Sequence, residues 1–190
     1  MLNSAAISGG ASAVHARHAS DFYETPKECV IALLKHRPDL KSTGGIWEPA
    51  CGDGAITHVL SQMGLYNHGG DIRTTKTCLG GMDFLKITSM PAGTHWILTN
   101  PPFIMATEFI DHARSFNVPF AMLLKSSFWH VAANRDLFTR TGPQEICPFG
   151  WRPNMAPDRG NSSTMEFLWT IWGAQPADFC TYYPLAKPVL

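Results

Sequence analysis

The chain has no excess of charge of either sign: fifteen Lys and Arg residues balance fifteen Asp and Glu. No overall field therefore recruits a polyanion, although local patches remain open. The five cysteines, Cys29, Cys51, Cys78, Cys147 and Cys180, are odd in number and widely spaced, and no C-x-x-C pair occurs. That pattern argues against a disulfide framework and against a zinc site, and it suits a reducing cytoplasm. No apolar run approaches the length needed to cross a membrane. Residues 1–20 are rich in Ala, Ser and Gly but lack a basic start and a continuous apolar stretch, so a flexible tail is expected rather than a secretion signal. No internal repeat is present, and residues 21–190 are the right length for one domain.

What the chain does contain is periodicity. Thr25-Pro26-Lys27-Glu28 has the form of a capping box, and Val30, Ile31, Leu33 and Leu34 supply an apolar helical face before Pro38 stops it. Gly44 to Pro49 reads as a short strand, followed by the turn Ala50-Cys51-Gly52-Asp53-Gly54. Ile56, Val59, Leu60 and Met63 recur at helical spacing, and Gly64 is placed to end that helix. A second strand ends near Asp71, a weaker strand or turn surrounds Met82-Asp83-Phe84, and the run His95 to Thr99 leads into Asn100. A helix is predicted from about Ile104 to Phe116, then a strand in the run Pro119 to Leu124. Strands alternating with helices point to a parallel sheet covered on both faces. Met165 to Trp172 is a bulky, β-prone run with no helix before it, predicted to enter as a last, antiparallel strand by hairpin. Ser126 to Thr164, broken by Gly and Pro, reads either as a functional loop or as a set of weak elements.

Ligands of open parallel sheets bind at the carboxyl ends of strands, near the point where strand order reverses. The turn at 50–54 has Gly-x-Gly but lacks the third glycine of a dinucleotide site, and Glu48 and Asp53 would repel a pyrophosphate. A ligand carrying positive charge and an amino group suits it better. Asp71 reads as a ribose-binding acid or as a turn cap, and Asp83-Phe84 as an adenine site or as an N-cap beside a core ring. Asn100-Pro101-Pro102-Phe103 combines a side-chain carbonyl, a stiff turn without donors and an aromatic ring. It can accept hydrogen bonds from an amino group and stack a planar ring, or it can simply end a strand. Methylation at cytosine C5 is disfavoured, since it needs a cysteine after a proline and Cys147-Pro148 has the reverse order. Cys51 reads as a small packed residue of its turn.

Asp21-Phe22-Tyr23-Glu24-Thr25-Pro26, Trp47 to Gly54, Asp71, Asp83-Phe84 and Asn100 to Phe103, in this order, resemble the S-adenosylmethionine-dependent DNA N6-adenine methyltransferases, small phage and prophage members above all. The likeness covers about residues 21 to 172 and is looser from Lys125-Ser126-Ser127-Phe128-Trp129 onward. It implies a class I, Rossmann-like methyltransferase fold: a three-layer αβα sandwich on a mainly parallel seven-stranded sheet whose last strand is antiparallel. It further implies S-adenosyl-L-methionine as cofactor, DNA as partner, and the cytoplasm of a bacterial or phage-infected cell. Carried over by position, Tyr23, Thr25 and Pro26 would cover one side of the cofactor and Glu48 would hold its amino group. Ala50, Cys51, Gly52, Asp53 and Gly54 would cradle it by backbone, Asp71 would take the ribose, and Asp83 and Phe84 the adenine. Asn100, Pro101, Pro102 and Phe103 would receive the acceptor base. The same motif also occurs in methyltransferases of RNA adenine or of a protein glutamine amide, and a non-catalytic cofactor-binding subunit is a further alternative.

No metal and no covalent intermediate is required by this chemistry. Between Arg114 and Arg159 six basic residues stand against three acidic ones. From that bias Lys125, Arg135, Arg140, Arg152 and Arg159 are expected to contact phosphates.

Overall fold

The apolar runs become strands buried on both faces because helices cover the sheet from either side. The computed structural model describes residues 23–42, 44–75, 77–78, 80–155 and 165–190. The tail at 1–20, Asp21, Phe22 and Arg159 therefore lie outside the described residues. Seven strands form one sheet: β1 (Gly45–Glu48), β2 (Asn67–Gly69), β3 (Thr94–Thr99), β4 (Phe120–Lys125), β5 (Glu145–Pro148), β6 (Phe167–Trp172) and β7 (Thr181–Tyr182). Four helices accompany them: α1 (Lys27–His36), α2 (Ala55–Gln62), α3 (Ala106–Ser115) and α4 (Asn134–Thr141).

The strand order is β2-β1-β3-β4-β6-β5-β7, so the order reverses between β1 and β3. β1 pairs in parallel with β2 and β3, and β3 with β4. Residues of α1 and α2, including Leu33, Leu34, Ile56 and Leu60, share one core cluster with Ile46, Leu98, Leu123 and Trp169. Phe109, Ile110 and Ala113 of α3 and Leu137 of α4 share the other with Trp47, Ile97, Met122 and Trp172. Alternate residues of one strand thus feed opposite layers, as a period of two requires. Each large apolar side chain so buried stabilises the fold by about 1.5–3 kcal/mol.

The antiparallel strand is β6, inserted between β4 and β5 and paired with both. Its predicted direction is right, but it is not last: β7 follows and pairs in parallel with β5. The irregular segment from Ser126 holds a 3-10 turn at Ser126–His130, then α4 and β5. Three contacts fasten this half to the end of α1. His36 Nε2 lies 2.5 Å from Glu145 Oε2, and Arg37 donates to the other oxygen at 3.2 Å. The His36 ring also stacks on Tyr183 at 4.3 Å. Among the described residues no helix is long and apolar enough to cross a membrane.

Two local expectations fail for the same reason, a tertiary partner. The Thr25 side chain makes no cap hydrogen bond to α1, whose N-cap is Pro26. Cys51 is not merely packed: it is joined sulfur to sulfur with Cys78, 27 residues on, because the pairing of β1 with β2 brings the two following loops together.

Candidate functional site

Gly52 and Gly54 let the chain turn sharply after β1, with φ of 51° and 87° in the left-handed region. A Cβ on Gly54 would stand 2.8 Å from Thr77 Oγ1, so the position is closed to other residues twice over. The turn is braced from β2. Cys51 N–H donates to Gly70 O at 2.9 Å, Gly52 N–H to Asp71 Oδ2 at 2.9 Å, and Gly54 N–H back to Cys51 O at 2.8 Å. Three N–H groups expected to face a ligand are thereby spent within the protein.

Two acids line the resulting cleft in different states. Asp71 is 4 % exposed and accepts from Gly52 N–H, from Arg73 N–H at 2.8 Å and from the Arg73 guanidinium at 3.1 Å. Burial pushes its carboxyl up, but these donors together bring it below the usual carboxylate range. Glu48 is 2 % exposed and accepts one hydrogen bond, from Thr57 N–H at 3.0 Å. Burial raises its carboxyl well above the ordinary value, the Thr57 bond opposes this, and the Asp71 charge adds to it. Among the described residues Glu48 has no cationic partner. It is a buried acid in want of a positive charge.

Asp83 caps the short 3-10 turn Phe84–Lys86, its Oδ1 accepting from Leu85 N–H at 3.2 Å while Lys86 Nζ lies 3.0 Å from Oδ2. Phe84 is 2 % exposed, with its ring centroid 5.3 Å from that of Trp47 and 4.8 Å from that of Phe109. The N-cap reading and the position on the cleft hold together, since both residues also line it.

Beyond β3, the Asn100 amide is fixed from the N-terminal segment. Its Nδ2 donates to Tyr23 O at 2.9 Å and to Thr25 Oγ1 at 3.1 Å. This is where the Thr25 hydroxyl goes instead of capping α1. With both N–H groups committed, Oδ1 is buried and accepts nothing among the described residues. A buried orphan acceptor is costly to keep, about 1–3 kcal/mol, unless something binds there. Beside it, Phe103 lies 5.6 Å from Tyr23 and 5.7 Å from Phe167 by ring centroids.

These parts converge on one cavity of about 510 Å³, within the range of small-molecule sites. Tyr23, Thr25, Glu48, Ala50, Cys51, Asp53, Asp71, Asp83, Phe84, Asn100, Pro101 and Pro102 all line it. Pro26, Gly52, Gly54 and Phe103 do not; the glycines shape its wall from behind. Sequence reasoning missed Ile72, Arg73, Met82, Met105 and Phe109 on the lining. Adjacency to Asp71 was the available signal for the first two. Met82 had none, because it reaches the cleft only where Gly70 lacks a side chain, a Cβ there falling 2.2 Å from Met82 Sδ.

The basic residues divide. Arg140 forms a two-pronged pair with Asp111, Nη2 to Oδ2 at 2.7 Å, and lies 3.3 Å from Asp136. Arg152 Nη2 is 3.4 Å from Glu166, and Arg135 is exposed on α4. Lys125, at the end of β4, instead places Nζ over the Phe103 ring, 4.3 Å from its centroid. As to thiols, burial pushes that of Cys147 up to about 12, with Glu145 adding to the effect, so it is no nucleophile.

No family model matches the chain, and no curated protein matches its sequence. Solved structures do match in shape. A candidate RNA methyltransferase from Pyrococcus horikoshii superposes with a TM-score of 0.64 at 10% identity, over 81% of this chain and 87% of that one. The 23S rRNA methyltransferase ErmE gives 0.56 at 11% identity, over 82% and 71%. A candidate type I restriction enzyme modification subunit from Vibrio vulnificus gives 0.58 at 15% identity, over 90% of this chain but 48% of that one, so the chain spans about half its length. With its seven-stranded, mainly parallel sheet, the chain has the class I methyltransferase fold.

Proposed function

We propose that the protein is an S-adenosylmethionine-dependent methyltransferase that modifies the exocyclic N6 amine of adenine in DNA. The observation that carries this reading is the Asn100 amide, locked through Nδ2 so that a buried, unpartnered Oδ1 is left beside the cavity. The donor fits the other residues present. Glu48 meets its ammonium, Met82, Phe84 and Phe109 offer apolar surface to its adenine, and Asp83 offers an acceptor to the exocyclic amine. Asp71, already braced by Gly52 and Arg73, holds the ribose hydroxyls with what acceptor capacity remains. When bound, the cofactor supplies an electrophilic methyl group.

The chain's part is to prepare the amine. An adenine amine is a weak nucleophile because its lone pair is delocalised into the ring. Asn100 Oδ1 and the Pro101 carbonyl each accept one N–H, which localises the lone pair and stabilises the positive charge that develops on nitrogen. The Pro101-Pro102 turn brings no competing backbone donor. Alignment of amine and methyl contributes much of the rate. The proton of the methylated amine passes to solvent, so no dedicated base is needed. The Tyr23 and Phe103 rings beside Asn100 favour an aromatic acceptor over a glutamine amide, and a base held there has left the duplex stack.

Transfer of labelled methyl to duplex DNA, single-stranded DNA, RNA and protein tests the reading, with Asn100→Ala as control. Label on N6 of deoxyadenosine, lost in the variant, is the expected result. Label on RNA or glutamine alone reassigns the acceptor, and transfer that survives Asn100→Ala removes the proposed chemistry.

A further inference from the structure

Among the described residues of the expected phosphate set, Lys125 is the one that turns inward. It ends β4 directly opposite Phe167 of β6, whose ring lies 5.7 Å from Phe103. Its ammonium stands over Phe103 at 4.3 Å from the centroid and over Tyr23 at 5.9 Å. Among the described residues it has no carboxylate partner, whereas Arg140 and Arg152 both have one. A half-buried cation whose counter-charge among the described residues is a ring quadrupole is held weakly. The place it occupies matters more: a base stacked on that face of Phe103 needs the same space.

We propose that Lys125 exchanges the Phe103 ring for the backbone phosphate of the nucleotide whose base stacks there. The inference rests on the nucleic-acid reading above and names the residue that couples stacking to phosphate contact. Base and ammonium compete for one ring face, so stacking expels the ammonium. The flexible four-carbon stem lets Nζ swing outward while its base stays fixed in β4. The adjacent phosphate is the anion within reach, and its charge-assisted bond replaces the cation–π contact. With the substrate absent, the same ammonium covers an aromatic face that water would otherwise wet.

Binding of the full chain, saturated with S-adenosylhomocysteine, to fluorescent oligothymidylate carrying one central deoxyadenosine tests this. Single neutral methylphosphonate linkages are placed 5′ of the adenosine, 3′ of it, or far away. For the unaltered protein, one flanking replacement should weaken binding several-fold and a distant one should not. For Lys125→Met, which keeps the apolar stem, the flanking replacement should have no effect, and the salt slope should fall by about 0.7. The flanking effect should also vanish when the adenosine is replaced by thymidine. Equal linkage effects in both proteins, or an equal effect at every linkage, overturn the exchange while leaving the methyltransferase reading to Asn100→Ala. Failure of the unaltered protein to bind any strand overturns both.

Discussion

The turns after β1 and β3 end adjacent parallel strands, yet they are held in opposite ways. The first is braced by its own neighbourhood: Gly52 to Asp71, Cys51 to Gly70 and Cys78, all within one βαβ unit. The second is braced from afar, with Asn100 tied to Tyr23 and Thr25 across more than 70 residues of chain. The local turn spends the N–H groups of Cys51, Gly52 and Gly54 within the protein, and among the described residues its buried acid, Glu48, has no cation beside it. The remote turn commits both N–H groups of the Asn100 amide and, among the described residues, leaves its buried Oδ1 without a donor. In our reading Glu48 suits the ammonium of a donor and Asn100 Oδ1 the amine of an acceptor. Two half-sites with separate supports can be broken separately.

The sharpest break is Asn100→Ala. Transfer should fall by about 10²–10³-fold, the usual cost of losing one preorganised hydrogen-bonding group at a developing charge. Cofactor affinity, measured calorimetrically, should fall far less, because the β1 turn and Glu48 do not depend on Asn100 and only the cover from Tyr23 and Thr25 is loosened. A parallel loss of both would join the two halves.

Glu48→Gln should do the reverse and weaken cofactor binding about 10–100-fold, through loss of a charge-assisted bond. The same change should stabilise the empty protein at neutral pH. Burial raises the folded-state carboxyl, so the stability linked to Glu48 is fully present below the unfolded value and is lost as pH rises through the folded one. Denaturation midpoints of the two proteins should therefore separate in favour of Gln as pH rises, and converge below about pH 4.5. A constant gap across pH would show that Glu48 does not titrate differently on folding.

Gly54→Ala tests the local brace. At φ 87° with Thr77 2.8 Å from the new Cβ, the change should cost about 1–2 kcal/mol or more of stability. Thermal unfolding measures it; a neutral result would mean that the turn can be rebuilt around a side chain. The smallest effect expected is that of Thr25→Val. It removes one of the two acceptors of Asn100 Nδ2 and should lower transfer about fivefold, roughly the 1 kcal/mol of one hydrogen bond, with α1 unaffected because Thr25 does not cap it. Helicity that falls with activity would restore the capping role.

The parts of this molecule legible from sequence were those with strong periodicity. The faces of α1 and α2, the runs of β3 and β4 and the Phe167–Trp172 strand are apolar enough to declare themselves. β5, with Glu145 and Pro148, and α4, which buries only Leu137 and Thr141, are too polar and too short to do so. They are strand and helix because β6 and α3 lie against them. In the site, the lining positions of both turns could be named in advance, since fold and turn chemistry place them. Their bonding could not: Asp71 as a brace, Thr25 as a partner of Asn100 and Lys125 on an aromatic ring each depend on a neighbour distant in sequence.

By itself, then, the sequence determined an alternating α/β sheet and the two turns at its carboxyl ends, because hydrophobic period and Gly, Pro and Asn chemistry act within a few residues. Only the tertiary structure decided which polar atoms in those turns are spent and which are left over. That outcome depends on where the second partner of each hydrogen bond lies, and here the partners of Asn100 and Lys125 come from Tyr23, Thr25 and Phe103, brought together by strand order and by the packing of the N-terminal segment and α1 on the sheet.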